Sequence, residues 1–307
     1  MEKAWFVSKV FLFPGQGSQV PGMGRSIREA SAAAREAFER VSEAVGRDMV
    51  ALCDESDEET LRLTENAQIA LYTCGVATAA ALNEKGIRPS FALGHSVGEY
   101  AALAAAGVVS VEDGARLVAR RGELMAQAKN GTMAAIIGLD DEQVEAACSG
   151  VSDGVVVVAN YNSPGQVVIS GEPAAVEAAC ANAAGAGARR VVPLNVSGAF
   201  HSPLMEDASR QMRSALASVS FSDGSARVAS NVLGDIVSDP SNWPDLLARQ
   251  IASPVRWTDC VRAALREGAA EFYECGPGNV LCGLLRRIAP VGKCTGVADG
   301  DALSALS

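Results

Sequence analysis

The stretch Phe91-Ala92-Leu93-Gly94-His95-Ser96-Val97-Gly98 decides the fold class of this chain. A short apolar run ends on a glycine and continues as G-x-S-x-G, a pattern typical of a sharp turn from a strand into a helix. The two flanking glycines lack the Cβ atoms that would clash in such a turn. The turn exposes the Ser96 hydroxyl at a helix N-terminus, where backbone N–H groups and the helix dipole favour negative charge. The motif therefore predicts an α/β fold with a serine nucleophile, although the bare pattern also occurs by chance.

Only two histidines are available as a base for that serine, His95 and His201. His95 is the immediate neighbour of Ser96, and adjacent side chains at a strand-to-helix turn generally point apart. His201 follows an apolar run in a loop-like stretch, where a lone histidine is more often a surface residue. Because a serine nucleophile needs a base, we predict that His201 is the general base. For His95 we expect a structural or phosphate-facing role.

Length, composition and charge exclude several classes of function. The 307 residues can bury a substantial core, and the chain is 49% hydrophobic but only 5% aromatic, which suits closely packed α/β layers. We expect no membrane span, because no apolar run reaches about 18 residues. The net charge of −10 argues against nucleic acid or an anionic membrane as a partner.

The eight cysteines are scattered and show no C-x-x-C spacing. With only two histidines in the chain, this pattern argues against a metal site of the zinc type. It predicts scattered, buried thiols in a protein of the reducing cytoplasm.

The order of predicted elements divides the chain into two parts. After a strand over residues 10–13, helical periodicity fills roughly residues 26–46, 67–85 and 112–128, and the tail after about residue 297 looks frayed. Between them the pattern changes to β-α-β-β-α-β, the order of a ferredoxin-like unit. We therefore predict a large subdomain of residues 1–130 and 199–307, with a small subdomain of residues 131–198 inserted. The candidate site would lie in the cleft between the two.

Two adjacent arginines fall on opposite faces of the third of those helices. Arg121 lies three or four residues from Leu117, Val118 and Leu124, so it projects from the apolar face, whereas Arg120 lies on a solvated face. A buried guanidinium needs an anionic partner. The spacing leaves two alternatives open, a structural ion pair with an internal carboxylate and a clamp for a substrate carboxylate.

Several separated motifs, in order, resemble the malonyl-CoA:acyl-carrier-protein transacylases and the related acyltransferase domains of polyketide and fatty acid synthases. The resemblance runs from about residue 10 to about residue 290. It is carried by Phe13-Pro14-Gly15-Gln16-Gly17-Ser18-Gln19, Gly94-His95-Ser96-Val97-Gly98-Glu99-Tyr100, Arg121-Gly122, Asn160-Tyr161-Asn162-Ser163-Pro164-Gly165-Gln166, Gly198-Ala199-Phe200-His201-Ser202, Gln250 before Ser253-Pro254-Val255, and Glu274-Cys275-Gly276-Pro277-Gly278.

This resemblance implies an α/β-hydrolase-like large subdomain with a ferredoxin-like insertion, and it implies roles for individual residues. Ser96 would be the nucleophile, His201 its base, and Arg121 the clamp on the malonyl carboxylate. The backbone N–H groups of Gln16 and Val97 would form the oxyanion hole. The main-chain carbonyl of Gln250 would orient the imidazole in place of a triad acid.

Phe200 bears on the choice of acyl group. It precedes His201 and would narrow the pocket where the methyl of a branched acyl group would lie. In the family, Ala-Phe-His at this point accompanies a preference for malonyl.

The reaction implied is transfer of malonyl from malonyl-CoA to the phosphopantetheine thiol of acyl carrier protein, through an ester on Ser96. We expect it to serve fatty acid synthesis, in a monomer that needs no metal or redox cofactor. Because carrier proteins of this kind are acidic, as this chain is, we expect a local basic patch near the site entrance, drawn from Lys129, Arg189, Arg190, Arg286 and Arg287.

Three alternatives remain at this point. A free-standing acyltransferase of a polyketide synthase would carry the same apparatus. A serine thioesterase or esterase would share the elbow and the histidine, but the chain lacks an HGGG-type loop and a clearly placed triad acid. A scaffold that binds carrier protein without catalysis would not need Ser96, His201 and Arg121 together.

Overall fold

The computed structural model describes residues 8–196, 198–290 and 293–306, which form two sheets flanked by helices. The strands are β1 (Ser8–Phe13), β2 (Phe91–Gly94), β3 (Thr132–Ile137), β4 (Val156–Ser163), β5 (Gln166–Gly171), β6 (Arg190–Pro193), β7 (Arg227–Ser230), β8 (Asp235–Val237), β9 (Ala269–Cys275) and β10 (Lys293–Val297). The larger sheet has the order β10-β9-β1-β2-β7-β8 and is parallel except for β8.

Helices cover both faces of the larger sheet and one side of the smaller one. They are α1 (Arg25–Ala30), α2 (Ala32–Val45), α3 (Met49–Glu55), α4 (Glu58–Arg62), α5 (Thr64–Glu84), α6 (Gly98–Ala105), α7 (Val111–Ala126), α8 (Asp141–Ser149), α9 (Pro173–Gly185), α10 (Glu206–Leu216), α11 (Trp243–Gln250), α12 (Trp257–Arg266), α13 (Val280–Ile288) and α14 (Gly300–Ser304). Among the residues described, none of these helices has the length and apolarity needed to cross a membrane.

The central strands of the larger sheet bring two loops together. In β1 the run Val10–Phe13 is fully buried, as expected for a parallel strand covered on both faces. Its neighbour β2 pairs in register, with Phe13 opposite Gly94, and the His95 N–H donates to the Phe13 carbonyl at 3.0 Å. Both strands therefore end at the same edge, and the loop after β1 lies beside the serine turn.

The smaller sheet has the order β4-β5-β3-β6 and is antiparallel. With α8 and α9 it gives the predicted order β-α-β-β-α-β and has its own hydrophobic core. The α/β class with a small ferredoxin-like part is therefore confirmed. The boundaries at residues 131 and 198 stay a prediction, although all four strands lie within them.

The two parts meet along β4. The Tyr161 N–H donates to the Val255 carbonyl at 2.9 Å, and the Val255 N–H donates to the Ala159 carbonyl at 2.8 Å. This short bridge ties the small sheet to the segment between α11 and α12.

Two expectations, one about the helix over residues 26–46 and one about the tail after residue 297, were wrong. The segment 26–46 is two helices, because Ser31 adopts an extended backbone and its hydroxyl accepts from the Ala34 N–H at 3.1 Å, capping α2. The tail after residue 297 is also ordered as α14. The Gly300 N–H donates to the Ser26 hydroxyl at 2.8 Å, and Lys85 Nζ donates to the Leu303 carbonyl at 2.9 Å.

The expectation of thiols throughout is corrected at one pair. Cys282 on α13 and Cys294 on β10 form a disulfide, with their Cα atoms 5.4 Å apart. The packing of α13 on β10 creates this proximity, which the sequence spacing does not signal. The other six cysteines are free thiols.

Candidate active site

The serine turn is a strained strand-to-helix elbow. Ser96 has a φ of 53°, in the left-handed region that side chains other than glycine rarely adopt, at a cost of about 1–3 kcal/mol. A Cβ on Gly94 would overlap the Gly98 backbone, and a Cβ on Gly98 would overlap the Phe13 carbonyl. The Ser96 N–H donates to Oδ1 of Asn231 at 2.8 Å, which holds the elbow from the β7 side.

His201 lies within hydrogen-bond distance of the serine hydroxyl. Its Nε2 is 2.7 Å from Ser96 Oγ, and its Nδ1 is 2.8 Å from the main-chain carbonyl of Gln250. Because a carbonyl only accepts, Nδ1 carries the proton, and the lone pair of Nε2 faces the hydroxyl. Burial, together with the nearby charge of Arg121, lowers the pKa of His201 to about 3. The imidazole is therefore neutral and able to accept a proton.

Arg121 on α7 is fully buried, and its guanidinium also contacts the Ser96 hydroxyl. Nη1 donates to Gln68 Oε1 at 2.6 Å, and Nη2 donates to Gln250 Oε1 at 2.9 Å and to Ser96 Oγ at 3.1 Å. Its partners are thus amide and hydroxyl oxygens, and no carboxylate in the described part of the chain forms an ion pair with it. Three of the five N–H groups of a guanidinium are used in this way. The alternative of a direct internal ion pair is therefore wrong for these residues.

Gln250, at the end of α11, contacts all three of these residues. Its main-chain carbonyl accepts from His201, and its side-chain oxygen accepts from Arg121. Its amide nitrogen donates to the Ser96 carbonyl at 2.9 Å and to a carboxylate oxygen of Glu99. One fully buried residue thus links the serine, the imidazole and the guanidinium.

Gln16, in the loop after β1, and Val97, in the elbow, line the same cleft as Ser96. Within residues 8–196, 198–290 and 293–306, neither backbone N–H donates to a protein acceptor. Two donors without a protein acceptor, in residues that line the cleft with Ser96, can stabilise negative charge on an oxygen that develops there.

A cleft of about 340 Å³ opens onto these groups. Met133 and Asn160 contribute to its wall from the small sheet, and Gln16 and Arg121 from the large part. Phe200, only 5% exposed, lines the cleft next to His201. The cleft lies between the two parts of the fold, as the element order predicted.

His95 bonds to the small sheet and not to the serine hydroxyl. Its Nε2–H donates to Asn162 Oδ1 on β4 at 2.8 Å, and its ring lies 5.6 Å from the ring of Trp257. Burial lowers the pKa of His95. These contacts match the structural expectation, since they join the elbow to the small sheet.

Sequence reasoning assigned no role to three residues around the site. Gln68 holds Arg121, Asn231 holds the Ser96 N–H, and Glu99 holds both Gln250 and Asn231. Glu99 could have been found, because it is the single charge in an otherwise apolar helix. Asn231 gives no such signal, since only the sheet order brings it to the elbow.

Comparison with known proteins identifies relatives over the whole chain. Residues 10–288 match the model of the family described as "Acyl transferase domain". The malonyl CoA-acyl carrier protein transacylase of Bacillus subtilis is 40% identical over 97% of this chain and 96% of its own length, and that of Escherichia coli K12 is 40% identical over 96% and 97%.

Solved structures of the same kind of enzyme are also similar to this chain. An acyl carrier protein S-malonyltransferase from Vibrio cholerae superposes with a TM-score of 0.93 at 40% identity, covering 98% of this chain and 100% of that one. A malonyl-transacylase solved in complex with a type II polyketide acyl carrier protein gives 0.93 at 38% identity, covering 97% and 98%.

Proposed function

This chain belongs to the acyl transferase family, and from that premise we propose that Ser96 carries a malonyl group from malonyl-CoA to acyl carrier protein. Its activity is malonyl transfer between coenzyme A and the carrier's phosphopantetheine thiol. The observation that supports the assignment most strongly is the meeting of three groups at one oxygen. Ser96 Oγ lies 2.7 Å from the His201 base and 3.1 Å from the buried Arg121 guanidinium.

In the first half-reaction, His201 Nε2 takes the Ser96 hydroxyl proton as Oγ attacks the thioester carbonyl. The oxyanion that forms accepts hydrogen bonds from the N–H groups of Gln16 and Val97, each contributing about 3 kcal/mol in such sites. The C–S bond then breaks, and His201 gives its proton to the departing thiolate of coenzyme A. Malonyl remains as an ester on Ser96.

In the second half-reaction, the carrier's thiol attacks that ester and His201 takes the thiol proton. Collapse of the second oxyanion breaks the bond to Ser96 Oγ, and His201 returns the proton to it. Both steps use only acyl and proton transfer, so we propose that no metal or redox cofactor takes part.

Arg121 selects the acyl group by its carboxylate. An acyl group on Ser96 Oγ carries its terminal carboxylate beside the guanidinium, which retains N–H groups for a charge-assisted pair. The absence of a direct ion pair with any described carboxylate supports this role, because no internal carboxylate competes with the substrate carboxylate for the N–H groups of Arg121. Phe200 would narrow the same pocket against the methyl of a branched acyl group. One methyl group supplies only about 1–3 kcal/mol of discrimination between substrates.

The carrier protein is proposed to dock on basic residues near the small sheet. Arg287 on α13 donates to Gln166 Oε1 at 2.7 Å. Gln166 pairs with Ile137 on β3, and Ile137 pairs with Arg190 on β6, so Arg190 and Arg287 flank one end of this sheet. Arg189 and Arg286 are exposed beside them, which supports an attachment surface for an acidic partner. Lys129 is exposed too, but it precedes the Thr132 end of β3, at the other end of this sheet, so it is not part of that surface.

Fatty acid synthesis is the proposed pathway. A role in polyketide synthesis is the second candidate, favoured by the likeness to a transacylase solved with a polyketide carrier protein. A hydrolase of the Ser-His-Asp type is less well supported, because His201 Nδ1 bonds a carbonyl and not a carboxylate. The site is complete within one chain, which supports a monomer. Six of the eight cysteines are free thiols, which favours the cytoplasm as the location, whereas the Cys282–Cys294 disulfide does not add to that support.

The experiment that tests the proposal is intact-protein mass spectrometry. Incubation with malonyl-CoA should add one malonyl mass, and peptide mapping should place it on Ser96. Adding holo carrier protein should remove that mass and transfer it to the carrier. A label on a cysteine, or loss of malonyl to water at the same rate without carrier, would contradict the proposal. Ser96→Ala is the unlabelled control.

A further inference from the structure

Glu99 is a buried carboxylate that the mechanism above does not use. It is 1% exposed and is the only charged residue of α6, three residues after Ser96. Taking an unpaired carboxylate out of water is costly, so its retention in an apolar helix calls for specific partners.

Both carboxylate oxygens accept hydrogen bonds from residues of the site. One accepts from the backbone N–H of Asn231 at 3.0 Å, and the other accepts from the side-chain amide of Gln250. Asn231 in turn holds the Ser96 N–H, while the Gln250 amide holds the Ser96 carbonyl. Glu99 therefore fixes Asn231 and Gln250, which hydrogen-bond the backbone N–H and the backbone carbonyl of Ser96.

The side-chain amide of Gln250 also links Glu99 to the guanidinium of Arg121, so the two charged groups are joined through one intervening residue. Arg121 Nη2 donates to the amide oxygen, and the amide nitrogen donates to Glu99. A carboxylate in direct contact with Arg121 would compete with the substrate carboxylate for the same N–H groups. An amide between them lets Glu99 compensate the buried positive charge while leaving those groups to the acyl group.

We propose that Glu99 is a positioning residue that acts through Gln250 to hold Arg121 ready for the malonyl carboxylate. This inference rests on the proposed function and adds to it the residue that orients the clamp. The orientation of the Gln250 amide follows from the fact that its nitrogen donates hydrogen bonds and its oxygen accepts them. An ionised carboxylate only accepts, so it fixes the Gln250 nitrogen on its own side and the oxygen on the Arg121 side.

Replacing Glu99 by glutamine should therefore break the arrangement without changing its volume. The new NH2 group would face either the Asn231 N–H or the Gln250 NH2, and neither can accept. If Gln250 turned over to relieve the conflict, its own NH2 would face Arg121. Every arrangement leaves a donor against a donor, so Arg121 loses its fixed position.

The test compares Glu99→Gln with a matched control, Glu274→Gln. Glu274 is also fully buried and also accepts with both oxygens, from the Leu281 and Cys282 N–H groups, but it caps α13 outside the cleft. Rates of acyl-serine formation are measured with malonyl-CoA and with acetyl-CoA. We expect Glu99→Gln to lower malonyl loading about 10- to 100-fold more than acetyl loading, the scale of one charged hydrogen bond. Glu274→Gln should leave the ratio of the two rates unchanged.

A second variant covers the case in which Glu99→Gln does not fold, as judged by circular dichroism. Gln250→Met severs the same link at the amide and keeps the main-chain carbonyl that holds His201, so it should also reduce the malonyl preference. An unchanged malonyl-to-acetyl ratio in a folded Glu99→Gln, or in Gln250→Met, would overturn the inference. Failure of the wild type itself to load malonyl would instead overturn the proposed function.

Discussion

The Nδ1 atom of His201 donates to the main-chain carbonyl of Gln250 at 2.8 Å, at the place that a carboxylate occupies in Ser-His-Asp enzymes. A carbonyl fixes the tautomer and the ring orientation as a carboxylate does, but it carries only a partial charge. Since this acceptor is the backbone, no side-chain substitution removes it directly, and the base is best tested at the imidazole.

His201→Ala should lower the rate of malonyl transfer by about 10²–10⁴-fold, the usual contribution of a general base. Steady-state turnover with malonyl-CoA and holo carrier protein measures the effect, and circular dichroism should show the fold retained. His95→Ala is the comparison, because His95 bonds Asn162 and not the serine. Near-normal turnover in His201→Ala together with an inactive His95→Ala would mean that the wrong histidine has been assigned.

Malonyl loading should fall as the pH drops through about 7. Burial raises the pKa of Glu99 to about 7, against the hydrogen bonds from Gln250 and Asn231 and the charge of Arg121. The ionised form, present above this pKa, accepts both hydrogen bonds, whereas protonation sets an O–H against a donor. His201 cannot cause this loss, because its pKa lies near 3.

The measurement for that pH dependence is the rate of coenzyme A release in the first half-reaction, followed from roughly pH 8 to roughly pH 5.5. The other titratable groups that face Glu99 are Tyr100 on its own helix, Cys260 on α12 and Arg121 on α7. In Glu99→Gln the acid limb should disappear. An acid limb that persists in this variant would assign the proton to a different group.

Gly94→Ala should destabilise the protein, because the added Cβ would overlap the Gly98 backbone inside the elbow. Overpacking of this kind costs about 1–3 kcal/mol. Gly185, at the end of α9, has open space around a new Cβ and no positive φ, so Gly185→Ala is the matched control. Thermal unfolding should show a lower midpoint for Gly94→Ala alone. Equal midpoints for the two variants would show that the elbow does not need its first glycine.

Reversing the charges of Arg190 and Arg287 should raise the KM for carrier protein and leave malonyl loading from coenzyme A unchanged. The control reverses Arg88 and Arg266, two exposed arginines that precede β2 and β9 and lie outside the small sheet. The net charge changes equally in both double variants. Comparable effects on both half-reactions, or a KM equally raised in the control, would argue against a docking surface.

The sequence predicts the fold and much of the site because the relevant signals are local. The elbow needs two glycines around Ser96, the count of histidines isolates His201, and helical spacing separates Arg121 from Arg120. In the small part, alternating strand and helix patterns give the correct order of elements. Apart from the count of histidines, which is a property of the whole sequence, these features are decided by neighbours within a few residues along the chain.

What the sequence does not predict depends on long-range packing. Asn231 reaches the Ser96 N–H only because β7 lies next to β2. The Cys282–Cys294 disulfide depends on how α13 rests on β10, and the order of the tail depends on Ser26 and Lys85 far along the chain. The spacing around Arg121 could not distinguish an internal ion pair from a clamp, because its partners Gln68 and Gln250 come from α5 and α11.

The central claim is that Arg121 selects malonyl by pairing with its carboxylate, and the kcat/KM values for malonyl-CoA and acetyl-CoA on Arg121→Ala test it most directly. A lost charge-assisted contact of about 2–4 kcal/mol should lower the malonyl value about 30- to 1,000-fold. The acetyl value should fall far less or rise, so the preference collapses or inverts. Arg120→Ala, which removes only exposed contacts with Glu123 and Gln211, should leave both values unchanged. Equal losses for malonyl and acetyl in Arg121→Ala would contradict the claim.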